Sequence, residues 1–135
     1  MIQMNNKSIY FGNKELLTMK KIGFIASRKI STLSVLPTYD WAVEVSKRKD
    51  VAVVSGFHSP MERDVLKILL QGECCIIIVL ARGMYRKLPK QYEKAMEQNR
   101  LLIISNEKES VMRVSEISAH KRNKYVEEIS DEMKK

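Results

Sequence analysis

The chain has 135 residues, enough to close one sizeable core and too few for two ordinary ones. Hydrophobic residues make up 44% and charged residues 30%, which excludes wholesale disorder, and no stretch nears the roughly 20 apolar residues of a membrane span. Lys and Arg number 24 against 16 Asp and Glu, a formal charge of +8 that raises a polyanion as partner, with a surplus serving solubility as the alternative.

The opening residues 1–7 are polar and lack the apolar core of a signal peptide. Residues 9–11 (IYF) suit a short or edge strand. A first strand is expected over 21–26 (KIGFIA), followed by a helix over about 39–47. The next strand is 51–54 (VAVV). Ser59 then serves as N-cap, Pro60 as the first helical residue and Glu62 as the third, a capping box that opens a helix over 60–70. Met61, Val65, Ile68 and Leu69 mark the buried face of that helix, and Gly72 is expected to end it. Residues 75–80 (CIIIVL) and 101–104 (LLII) are further strands, separated by a helix over about 90–99, and a last helix runs from about 115 to 133. The near-continuous Ile, Val and Leu content of the strands suits coverage on both faces. Strands alternating with amphipathic stretches predict one Rossmann-like, doubly wound, mostly parallel α/β sheet with helices on both faces, spanning 1–135 as a single domain.

Cys74 and Cys75 are adjacent, without metal-ligand spacing or a Cys-x-x-Cys arrangement, and read as buried free thiols of a reducing, cytoplasmic compartment. No catalytic constellation, no metal site and no cofactor fingerprint is present: the chain has neither a G-x-x-x-x-G-K-[ST] loop nor G-x-G-x-x-G, and no Gly-x-Ser-x-Gly elbow. The expectation is a binding domain rather than an enzyme.

In open α/β sheets ligands sit outside the carboxyl ends of the strands, so the loops there carry the site. After the first strand, Ser27, Arg28 and Lys29 combine a hydroxyl with two cations, a phosphate-binding chemistry whose bland alternative is a solvated turn. After the second, Ser55, Gly56 and His58 lead to a helix N-terminus, which attracts anions. His58 reads as a hydrogen-bonding residue, with acid–base duty as the alternative, and Glu62 as a cap. Arg82 and Gly83 follow the third strand. Arg82 opens a run in which Arg86, Lys87, Lys90, Lys94 and Arg100 face only Glu93 and Glu97, with Tyr85 and Tyr92 interleaved. Such a run suits a nucleic-acid backbone with stacked bases, or else a solvated basic helix. A last cluster, His120 to Tyr125, places Arg122 and Asn123 about one turn into the final helix, where cations gain nothing from the helix dipole.

Taken in order, these strings resemble the central Rossmann-like domain of the DNA-processing protein A (DprA/Smf) family, within the wider group related to the lonely-guy proteins. Ile9-Tyr10-Phe11-Gly12-Asn13 is similar to the family's lead-in, Ala26-Ser27-Arg28 to its Gly-Ser-Arg turn, and Val54-Ser55-Gly56 to its strand-end Ser-Gly. Leu80-Ala81-Arg82-Gly83, Leu102-Ile103-Ile104-Ser105 and Arg122-Asn123-Lys124 resemble its Leu-Gly-x-Gly, Leu-Ile-Ser and Arg-Asn-Arg. The resemblance implies binding of single-stranded DNA, delivered in the family to the recombinase RecA. By matched position, Arg28 and Arg122 would contact phosphates, with Ser27, Ser55 and Gly56 lining the same pocket. The chain departs from the family at Ala26, Ala81 and Pro60-Met61-Glu62, lacks the flanking domains of full-length members, and lacks the lonely-guy hydrolase motif Pro-Gly-Gly-x-Gly-Thr. Three readings follow: a non-enzymatic domain on single-stranded nucleic acid, a domain for a small nucleotide-type ligand as sensor or degenerate enzyme, and a structural or homodimerising module.

Overall fold

The computed structural model describes residues 3–5 and 8–134; residues 1, 2, 6 and 7 of the polar opening lie outside the described residues. Among them seven strands form one sheet: β1 (Gln3–Asn5), β2 (Ser8–Gly12), β3 (Lys20–Gly23), β4 (Val51–Ser55), β5 (Cys75–Leu80), β6 (Leu101–Ser105) and β7 (Glu132–Met133). Their order is β1-β2-β6-β5-β4-β3-β7. From β7 to β6 every pairing is parallel, and β2 and β1 close the other edge antiparallel. The helices are α1 (Thr32–Ser46), α2 (Pro60–Leu70), α3 (Glu93–Glu97) and α4 (Glu116–Ile129).

Alternate residues of the central strands feed two separate cores. Val51, Val53, Ile76, Ile78, Leu101 and Ile103 pack with Ala42, Val45, Val65, Leu69 and Ala95 of α1, α2 and α3. Ala52, Val54, Ile77, Val79, Leu102 and Ile104 pack on the opposite face with Val126 of α4 and Leu16. The expected Rossmann-like, mostly parallel sheet with helices on both faces is therefore present. The all-apolar strand runs have this cause: each side chain is buried whichever way it points.

Several boundaries differ from those expected. β3 ends at Gly23 instead of 26, because after Phe24 donates to Val54 O (2.8 Å) the chain leaves the ladder and Ala26 N–H turns to the Glu62 carboxylate (2.9 Å). α1 begins at Thr32 instead of about 39, with Ser31 as N-cap accepting from Leu33 N–H (3.2 Å). Pro37 lies within its second turn, where one missing N–H costs a single bond and does not end the helix. The helix expected over 90–99 is a 3-10 turn, Lys90–Tyr92, followed by the short α3. The last helix stops at Ile129, not 133: Ser130 Oγ donates back to Val126 O (2.6 Å), and the extended chain beyond pairs with β3. This added strand, β7, covers the β3 edge that would otherwise offer unpaired backbone. The capping box on α2 forms as expected, but the helix ends through Gln71 in right-handed geometry. Gly72 serves instead to let the chain pass the Ser46 carbonyl, which a Cβ would approach to 2.5 Å.

Candidate functional site

At the carboxyl ends of β3 and β4 one carboxylate organises two loops. Glu62, 3% exposed, accepts from His58 N–H (2.9 Å) and Ser59 N–H (3.2 Å) with Oε1 and from Ala26 N–H (2.9 Å) with Oε2. The helix N-terminus that would attract an anion is thus filled by the chain's own side chain. Between β4 and α2 the buried Phe57 holds a left-handed φ of 48°, a strained conformation for an aromatic residue, steadied by its N–H donating to Ser55 Oγ (3.0 Å). This turn leaves His58 exposed beyond the carboxyl end of β4.

Cations gather around His58. Partial desolvation of the ring, although the residue is exposed overall, is the first cause that lowers its pKa, followed by the charges of Arg122, Arg63 and, more weakly, Arg28, with Glu62 opposing. Arg28 and Arg63 are exposed, whereas Arg122 is 7% exposed. The Arg122 guanidinium lies directly against Gly56, where any Cβ would collide with it. Burial lowers its pKa and Glu62 partly restores it. Its Nε donates to Asn123 Oδ1 (2.8 Å), which fixes the plane of the group, and among the described residues no carboxylate forms an ion pair with it. A buried guanidinium with its fork unneutralised suits a phosphate or carboxylate supplied from outside.

The structure therefore brings Gly56, Arg122 and Asn123 of the expected residues into contact; His58 feels the charge of Arg122, of Arg63 one turn into α2 and, most weakly, of the exposed Arg28. The others have different roles. Ser27 is exposed and donates to Lys29 O (2.8 Å), and Lys29 is exposed beside it. Ser55 is fully buried and spends its hydroxyl on the Phe57 turn. Gly83 is buried beneath residues 108–111: it donates to Val111 O (2.7 Å), and a Cβ there would come within 2.6 Å of Lys108 O. Arg82 stacks on the Tyr85 ring (5.1 Å) and donates to Gly83 O.

The basic run 82–100 does not form one surface. Arg100 is 9% exposed and caps the end of α2, donating to Cys74 O (2.6 Å) and Leu70 O (3.0 Å). Tyr92 is buried, in contact with Tyr85 (6.4 Å between ring centres).

Beside Arg122 an open cleft of about 1060 Å³ lies between α4 and the adjoining ends of β2 and β6. Lys121, Arg122 and Lys124 line it at one end, with Tyr125 and Glu128 further along α4. Tyr10 and Asn106 face them from the sheet. Ser8 Oγ donates to Asn106 Oδ1, and the Tyr125 hydroxyl interacts with those of Tyr10 and Ser8. Sequence reasoning missed this cleft because β2 and α4 are a hundred residues apart; the only signal was Tyr125 at the end of the basic cluster.

A mostly parallel sheet wrapped on both faces, with its loops gathered at the strand ends, defines a Rossmann-like domain. Residues 5–133 match the family model of DNA recombination-mediator protein A, and the chain belongs to that family. Among solved structures it is similar to DNA processing protein A from Streptococcus pneumoniae, with TM-score 0.71 and 18% identity over 93% of this chain and 44% of that one. It is equally similar to DNA processing protein A from Helicobacter pylori, described for its single-stranded DNA binding mode, with TM-score 0.71 and 19% identity over 98% of this chain and 66% of that one. The chain thus spans less than two thirds of either relative. No curated protein matches. Among the described residues no helix is long and apolar enough to cross a membrane.

Proposed function

We propose that this domain binds single-stranded nucleic acid without chemical conversion, and that Arg122, with Arg28 and Arg63, holds its phosphates. The observation that carries the reading is the Arg122 guanidinium, buried on Gly56 and unpaired by any described carboxylate, with the exposed Arg63 and, more weakly, Arg28 sharing its charge influence on His58. Burial raises the strength of a charge-assisted bond, and the fork geometry matches two phosphate oxygens. Membership of the DNA recombination-mediator protein A family supports the choice of polymer, as does the Helicobacter pylori relative, whose structure concerns single-stranded DNA. Delivery to a recombinase, which the resemblance implies, lies outside the proposal.

Anisotropy of a labelled oligothymidylate at low salt tests it. Wild type should bind, and Arg122→Gln and Arg28→Ala should each weaken binding, Arg122→Gln more. The size of the cleft beside Arg122 favours a second reading, a small nucleotide ligand. Thermal shift separates the two: a mononucleotide that stabilises the fold as strongly as the oligonucleotide supports the second reading.

A further inference from the structure

We infer that the site at Arg122 accepts the internal phosphodiesters of a strand and rejects terminal phosphates, and that Glu62 is the residue that sets this preference. This rests on the nucleic-acid reading above and specifies which phosphates the site takes.

The donors left free on Arg122 match a diester. A phosphodiester carries one negative charge on two non-bridging oxygens, whereas a terminal phosphate spreads nearly two charges over three oxygens. Arg122 is 7% exposed, its Nε is spent on Asn123 Oδ1, and among the described residues neither Nη group has an acceptor. Two Nη groups on one plane suit two oxygens held side by side.

A third oxygen would turn to the backbone N–H groups of the two neighbouring loops, and Glu62 holds these. Its Oε1 accepts from His58 (2.9 Å) and Ser59 (3.2 Å), and its Oε2 accepts from Ala26 (2.9 Å). The carboxylate is fixed in that place: it is 3% exposed, and Glu62 N–H donates back to Ser59 Oγ (3.3 Å). A group with two oxygens and one charge thus stands where the start of a helix would cradle the three oxygens of a phosphate.

The same carboxylate works through its charge, which reaches both the Arg122 guanidinium and His58. Its repulsion is nearly twice as large for a dianion as for a monoanion at the same distance. The extra oxygen of a terminal phosphate would also lose water without gaining a donor from the loops, which is costly. A diester meets neither penalty in full, so a strand passing through the site is favoured over a strand end or a mononucleotide.

Inorganic phosphate and thymidine 5′-monophosphate are the probes, read by thermal unfolding against chloride at equal ionic strength. Either should move wild type by less than about 1 °C, as for a site left empty. Glu62→Ala should unfold at a lower temperature, because three N–H groups lose their acceptor. Inorganic phosphate at about ten times its dissociation constant should then raise the unfolding temperature of this variant by about 5 °C beyond its effect on wild type. Anisotropy supplies a readout that needs no variant: a 5′-phosphate added to an oligothymidylate should change wild-type affinity by less than about twofold, since the added charge stays in screening solvent. A larger gain from the 5′-phosphate, or wild type stabilised by either probe as strongly as Glu62→Ala, overturns the inference while leaving strand binding intact. So does a Glu62→Ala protein that phosphate fails to restore. Failure of wild type to bind the oligothymidylate at all instead sinks the nucleic-acid reading, and the preference with it.

Discussion

Gly56→Ala isolates the contact on which the phosphate site is built. Gly56 has no positive φ, so the backbone accepts alanine, but the new methyl would occupy the place of the Arg122 guanidinium. What must move is the far end of a flexible side chain, and alanine also lowers the entropy of the unfolded chain. Stability should stay within about 1 kcal/mol of wild type. Binding should not. Loss of the charge-assisted bonds from a displaced guanidinium costs about 1.5–3 kcal/mol, which is about a 10- to 150-fold weaker complex. Because the effect runs through Arg122, adding Gly56→Ala to Arg122→Gln should cost less than about twofold more. The assay is oligonucleotide anisotropy on the four proteins of that cycle, with urea unfolding of each as the control. Equal losses from Gly56→Ala in both backgrounds would refute the reasoning.

Arg100→Met strips the carbonyls of Leu70 and Cys74 of their partner. It should lower unfolding free energy by about 2–4 kcal/mol and leave oligonucleotide affinity of the folded protein unchanged; a weakened complex would place Arg100 in the interface after all. His58 should titrate below its ordinary 6.5 by NMR, because partial desolvation and then Arg122 and Arg63 disfavour its charge. Since the unfolded chain takes up that proton first, the His58 contribution to stability is complete above the unfolded value and falls as pH drops toward the folded one. A phosphate bound among the same arginines should raise the His58 pKa and tighten as pH falls; a pKa unmoved by ligand would separate His58 from the site. The Cys74 thiol, pushed up to about 12 by burial, and Cys75, raised for the same reason, should resist a thiol reagent in the native protein and react once urea unfolds it.

Local signals were read well where local physics decides. The strands of the sheet centre are buried on both faces, so composition alone marks them, and Ser59 with Glu62 forms the capping box that its spacing announces. Tertiary partners decided the rest. Glu62 reads as a cap from spacing, yet its second oxygen binds Ala26 N–H, 36 residues away, and closes the anion site expected there. Arg82 and Gly83 follow a strand as a ligand loop should, but the segment 108–111 folds over Gly83 and Tyr85 takes Arg82. β7 has only two residues and exists because β3 offers an edge, which no pattern within residues 130–134 could reveal. Arg63 was readable in principle: it lies four residues beyond the Ser59 cap, on the same end of α2.

The salt dependence of single-strand binding tests the central claim most directly. Three arginines neutralising three phosphates predict that log affinity falls with log salt at a slope of about −2, and that Arg122→Gln makes it shallower by about 0.7. A wild-type slope near zero, or one that Arg122→Gln leaves unchanged, would contradict it.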